Sequence, residues 1–155
     1  MRCPMLFLQF KINDNKYLLE AQGVIEVVPY ANLKRIPKAP KYVAGLLNYR
    51  GDSIPVIDIC FLMSDKPAEL KLSSRIALVN YKDDQQLSVC VGLLIEHLTE
   101  TVRYDENDFS DSGVTLEESA YLGRVVMDDN RIVQLVNINE IIPVAAHDIL
   151  FHRSQ

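Results

Sequence analysis

Residues 44–59 read AGLLNYRGDSIPVIDI, two apolar runs interrupted by Arg50, Gly51 and Asp52. Each run suits a buried strand, so the question is what an arginine does between two pieces of core. As a bare string, Arg50-Gly51-Asp52 is the tripeptide that cell-adhesion receptors read. That reading needs export and an exposed tip at Gly51. The flanks instead predict a strand ending at a surface Arg50, a tight turn at Gly51, and a second strand starting at Asp52.

The same plan recurs downstream. Residues 42–59 end in PVIDI and residues 121–138 end in QLVNI, and a constant offset of 79 superposes Tyr42 on Tyr121, Ile54 on Val133, Val56 on Leu135 and Asp58 on Asn137. Earlier, LFLQFKI and KYLLEA flank Asn13-Asp14-Asn15, while IALVNY and LSVCVGLL flank Lys82-Asp83-Asp84, with Ile12 on Tyr81 at an offset of 69. Both pairs predict hairpins with Asn and Asp in the turn. The polar segment YDENDFSDS (104–112) absorbs the difference in offset as an inserted loop. Two similar β units are expected.

Asp58 and Asn137 stand where the strand pattern gives way to IDICFLM and VNINEII. Their side-chain oxygens suit helix N-caps, a structural role. Pro29, Pro37, Pro40 and Pro55 restrict where central strands lie and make residues 29–42 a connector. The expected fold class is mainly all-β: short twisted strands closing into two small barrels, with short helices at the joints.

The chain has 155 residues, 48% of them hydrophobic, enough for a substantial core. Its net charge of -5 disfavours nucleic acid, because no basic excess exists to release phosphate counterions. Cys3, Cys60 and Cys90 are odd in number and two lie in apolar runs, which predicts reduced thiols in a reducing compartment. No apolar run reaches the ~18 residues of a membrane span, and the amino terminus lacks a cleavable leader pattern. A cytoplasmic protein is expected.

No constellation for chemistry emerges. His97, His147 and His152 lack partners at metal-ligand spacing, the serines lack a nucleophile elbow, and no glycine-rich phosphate loop is present. Asp105, Glu106, Asp108 and Asp111 lack the glycine and terminal glutamate of a calcium loop and predict a solvated loop. No metal, no cofactor and no catalysis are expected, with a small β-barrel enzyme the remote alternative.

The order of VIEVVPY, IPKAPKYVAGLLNYRGDSIPVIDI, VGLLIEHLTET and YLGRV…RIVQLVNINEII resembles the CheW family of bacterial chemosensory adaptors over nearly the whole chain. The resemblance implies two intertwined SH3-like five-stranded barrels within one CheW-like domain spanning residues 1–155. It also implies a non-catalytic adaptor between the cytoplasmic tip of methyl-accepting chemoreceptors and the regulatory domain of a CheA-type histidine kinase, reaching the membrane only through receptor arrays. The chain looks like the free-standing adaptor.

The family's receptor site is an apolar groove between barrels. By resemblance, Val24 lies there on the first unit, Val89 and Val91 on its counterpart in the second, and Arg50 on the receptor-facing side. Glu26 and Val27 in VIEVV are taken as the kinase-contact residues of the first unit, and Phe109, a lone aromatic in an acidic loop, is either a plug for that loop or a second kinase anchor. Tyr49 replaces a common leucine, and Glu96-His97 and Thr99-Glu100-Thr101 depart from the family pattern. These departures suit an adaptor of a non-flagellar, Wsp-like surface-sensing pathway as the alternative to swimming chemotaxis.

Overall fold

The computed structural model describes residues 4–82, 88–113 and 122–141. Ten strands run in the order β1 (Met5–Ile12), β2 (Asn15–Glu20), β3 (Val24–Pro29), β4 (Val43–Tyr49), β5 (Asp52–Asp58), β6 (Arg75–Lys82), β7 (Ser88–Ile95), β8 (His97–Tyr104), β9 (Leu122–Asp128) and β10 (Arg131–Val136). Helix α1 (Ile59–Ser64) follows β5 and α2 (Ile138–Ile141) follows β10. The carboxyl-terminal AAHDILFHRSQ, a stretch whose sequence suggests a brief docked helix, lies outside the described residues, as do residues 83–87 and Tyr121.

The strands form two five-stranded sheets, ordered β8-β1-β2-β10-β9 and β3-β6-β7-β5-β4. Each half of the chain therefore repeats five strands and a helix, as the 79-residue echo suggests, but the halves exchange their first hairpins. Strands β1 and β2 join β8, β9 and β10, whereas β6 and β7 join β3, β4 and β5. The sequence repeat and the spatial unit are different objects, which is what intertwining means here.

This exchange explains the burial pattern. Leu8, Phe10, Ile12 and Leu19 from one hairpin meet Ala77, Val79, Val91, Leu93 and Ile95 from the other in a core shared by both sheets. Phe7 and Leu18 project instead into the first barrel with Val126 and Val133, and Ile76 and Leu78 into the second with Leu47, Ile54 and Val56. The exchanged hairpins are thus apolar on both faces and read as nearly continuous hydrophobic runs. Gly92 lets three strands converge in the second barrel, since a Cβ there would stand 2.9 Å from Ile76 Cγ2 and 3.0 Å from Val56 Cγ2.

Each sheet closes on itself in the same way. The connector after β3 makes a two-way bridge between Lys34 and Leu46 of β4, and the segment after β8 makes one between Ser110 and Val125 of β9. Leu46 and Val125 are again 79 apart. The parallel ladder from β5 to β7 begins at Val56, so Pro55, which lacks an N–H, stands where β5 has only β4 beside it.

Asp58 caps α1 by accepting from Phe61 N at 3.1 Å, and its other oxygen accepts from Ala68 N at 2.9 Å. Burial raises its pKa against those hydrogen bonds. Asn137 takes the equivalent place before α2, accepting from Asn139 N at 3.1 Å.

Candidate docking surface

Tyr49 and Asp52 pair directly, leaving Arg50 and Gly51 as a two-residue hairpin turn. Both have positive φ, 52° and 87°, the mirror-image turn whose twist matches paired strands. Gly51 takes that conformation without penalty, and its N–H donates to Asn48 Oδ1 at 3.2 Å. Arg50 is held in a region that costs a non-glycine residue on the order of 1 kcal/mol. The second barrel-closing hairpin repeats the device with Asp129 and Asn130, both at positive φ. Arg50 and Gly51 are exposed, as the strand patterns on either side lead one to expect, so exposure alone does not separate this turn from the adhesion reading.

What separates Arg50 from a free ligand tip is its partner. Glu26 on β3 accepts a hydrogen bond from the Tyr49 hydroxyl, and Arg50 Nη2 lies 3.7 Å from the same carboxylate oxygen. The guanidinium also stands 5.0 Å from the Tyr49 ring centroid. Strands β3 and β4 are the two outer strands of their sheet, so this cluster fastens the barrel seam. The Arg50 side chain is 75% exposed, and a pair so open contributes only about 0–1 kcal/mol. Its consequence is orientation: the fork is aimed, and its outer face remains free.

A family model described as the CheW-like domain matches residues 6–146. The chain belongs to the CheW-like family. Among its relatives, the chemotaxis protein CheW of Helicobacter pylori is 27% identical over 137 residues, covering 88% of this chain and 80% of that protein. The CheW of Bacillus subtilis is 22% identical, covering 86% and 83%. The scaffolding protein TtCheW from Thermoanaerobacter tengcongensis superposes with a TM-score of 0.79 at 25% identity, covering 93% of this chain and 91% of that one. The CheW-like fold of two SH3-like barrels agrees with the two sheets and the exchanged hairpins.

Against that CheW-like frame the sequence-based residues fall in unexpected places. Val24, Val89 and Val91 do not face one another across two barrels: β3 and β7 flank β6 in one sheet, and Val24, Val79 and Val91 form one cross-strand row. Val91 is 0% exposed and offers no contact surface, while Val24 and Val89 are partly buried at the margin of the shared core. The resemblance set Val89 and Val91 on a second unit of the chain, whereas hairpin exchange brings β6 and β7 into the sheet that holds Val24.

Glu26 and Arg50, assigned from sequence to different partners, touch each other. Val27 pairs with Ala77 and packs against the shared core. Between Val24 and Glu26, a register shift inserts Ile25 as a bulge residue, 51% exposed, on an apolar run that gave no warning of it. The Glu26–Arg50 pair was likewise invisible, because nothing in the sequence brings the two edges of a barrel together.

Phe109 sits in the other barrel, its ring 5.3 Å from Phe7 and 6.0 Å from Tyr104, with the Arg124 guanidinium 5.3 Å from its centroid. The acidic segment around it is a built turn. Asp105 and Asp108 cap each other's backbone amides, Glu106 binds Arg124 Nη1 at 2.5 Å, and Asp111 accepts from Gly113 N at 3.1 Å. The hydrogen bond and charge of Arg124 hold the Glu106 carboxyl below its usual range. These carboxylates are engaged by amides and an arginine, which explains why an acidic cluster here is a turn. Desolvation pushes the Cys60 thiol up to about 11, so it is protonated and behaves as a small apolar side chain.

Proposed function

We propose that this chain is a non-catalytic chemosensory adaptor that couples the cytoplasmic tip of methyl-accepting chemoreceptors to the regulatory domain of a CheA-type histidine kinase. The observation that carries the reading is the Glu26–Tyr49–Arg50 cluster on a displayed turn of a CheW-like fold. Arg50, Val24 and Val89 meet the receptor, with Val91 supporting them from beneath. Glu26 and Val27 meet the kinase on the same strand, and Phe109 with Arg124 forms a second kinase contact on the opposite barrel.

Because Glu26 and Arg50 share one carboxylate oxygen, a partner that recruits either side chain changes the freedom of the other. Receptor and kinase contacts are then neighbours in one patch, joined through a bond weak enough to exchange. A receptor carboxylate that engages the guanidinium fork releases Glu26 toward the kinase without unfolding anything. The test is sedimentation of receptor-containing membranes with the chain and a CheA-type kinase. The proposal expects kinase in the pellet only when the chain is present, and retention of neither protein contradicts it.

A further inference from the structure

We propose that the groove beneath the β3–β4 connector docks an acidic amphipathic helix of a protein partner, at a surface separate from the Arg50 turn. This inference goes beyond the coupling role and does not rest on it. The groove holds about 710 Å³, with Leu33, Ile36, Val43, Phe61, Leu70 and Leu94 among its lining and Arg35 and Lys41 on its rim. Leu70 is 55% exposed at the mouth, and Leu72 beyond it is 99% exposed. Apolar side chains so placed are what a buried partner face covers.

The charge pattern selects the occupant. Residues 29–41 carry Lys34, Arg35, Lys38 and Lys41 and not one Asp or Glu, in a chain whose net charge is -5. Among the described residues none of the four is in an ion pair, whereas Lys16, Arg50, Lys71 and Arg124 each have a carboxylate partner. Of the two carboxylates lining the groove, Asp58 is occupied by the Phe61 and Ala68 amides, which leaves the exposed Asp65 at the end of α1 against Arg35 and Lys41 on the rim. With Lys34 and Lys38 on the same connector, the balance of charge on this face is basic, and it complements glutamate or aspartate flanking an apolar stripe.

The groove is also built in advance. Lys34 N donates to Leu46 O at 2.9 Å and Leu46 N to Lys34 O at 2.8 Å, fixing the connector on β4. Gly45 permits this approach, since a Cβ there would stand 2.6 Å from Lys34 O. Pro37 and Pro40 stiffen the rest, and Lys38 is thrust outward at a turn with φ of 63°. The bridge occupies the outer edge of β4 at Leu46, so the occupant does not bind by adding a strand. Preorganisation lowers the ordering cost of binding. At its Val43 end the groove lies about 20 Å along β4 from the Arg50 turn.

The test uses the full chain labelled with nitrogen-15 and three probes: a synthetic helical peptide with leucines on one face and glutamates on the other, its lysine counterpart, and phosphatidylglycerol vesicles. The glutamate peptide is expected to shift amides of residues 33–46 and 61–70. Its affinity should fall at least tenfold in Arg35→Glu/Lys41→Glu and again in Leu70→Gln, an exposed position that leaves the fold intact. Equal binding of the two peptides, shifts confined to the β4–β5 turn, or binding of the vesicles alone overturns the proposal.

Discussion

Glu26 and Arg50 stand on opposite edges of one five-stranded sheet, and their charged ends meet at 3.7 Å across the barrel seam. Exposure makes the pair weak, so its value is in where it points the guanidinium. Stability and partner binding should therefore separate at this turn. Arg50→Gly relieves the positive φ, on the order of 1 kcal/mol, against the added unfolded-state entropy of glycine and the loss of a weak ion pair, so stability is expected to change by less than about 1 kcal/mol while partner binding is lost. Urea unfolding and receptor sedimentation on the same preparation check both halves, and a variant destabilised by about 2 kcal/mol or more would contradict the turn assignment.

Gly45 should be the least replaceable glycine in the connector region. Gly45→Ala places a methyl 2.6 Å from Lys34 O at a φ of 149°, and a loss on the order of 3 kcal/mol is expected. Gly51→Ala meets nothing within 4 Å and should cost only about 1 kcal/mol of backbone strain. Thermal or urea unfolding ranks the two, and the reverse order would mean that the Lys34–Leu46 bridge is not what fixes the connector.

The two helix caps should differ in the same way. Asp58→Ala removes an acceptor from two amides in a buried position and should cost on the order of 2–3 kcal/mol. Asn137→Ala, at an exposed cap, should cost about 0.5–1 kcal/mol. Equal losses measured by urea unfolding would contradict the difference in burial between the two ends.

Alkaline pH should expose the Cys60 environment. The folded thiol titrates at about 11 against 9.0 for the free group, so the unfolded chain loses its proton first. Its contribution to stability is complete below pH 9 and lost as pH rises through about 11, amounting to roughly 3 kcal/mol. Cys60→Ala should remove that part of the alkaline decline. Urea midpoints at pH 8 and pH 11 measure it, and parallel declines in both proteins would contradict it.

Much of this architecture was legible in the chain itself. Alternation of Leu8, Phe10 and Ile12 marks a face that does lie in the shared core, and Asp58 and Asn137 mark two helix starts. The turn at Arg50-Gly51 was readable because strand patterns bracket it. The intertwining was implied by the family resemblance alone, because the periodicity of IALVNY says which face is buried and nothing about which strands pair with it. Val91, set by resemblance on a second unit, is enclosed at 0% exposure beside Val79, in the same sheet as Val24. The Ile25 bulge and the Glu26 contact arise from closure of a barrel seam, a relation between distant strands that local patterns do not encode.

The central claim is that Arg50, held by Glu26, is the receptor-facing group of an adaptor. Sedimentation of receptor membranes and a CheA-type kinase with the parent chain and with Arg50→Glu tests it most directly, circular dichroism reporting that the fold is intact. Reversing one charge at an interface costs about 2–5 kcal/mol, so the variant should lose at least tenfold in receptor affinity and leave the kinase in the supernatant. If Arg50→Glu carries receptor and kinase into the pellet as well as the parent chain does, the account of this surface is wrong.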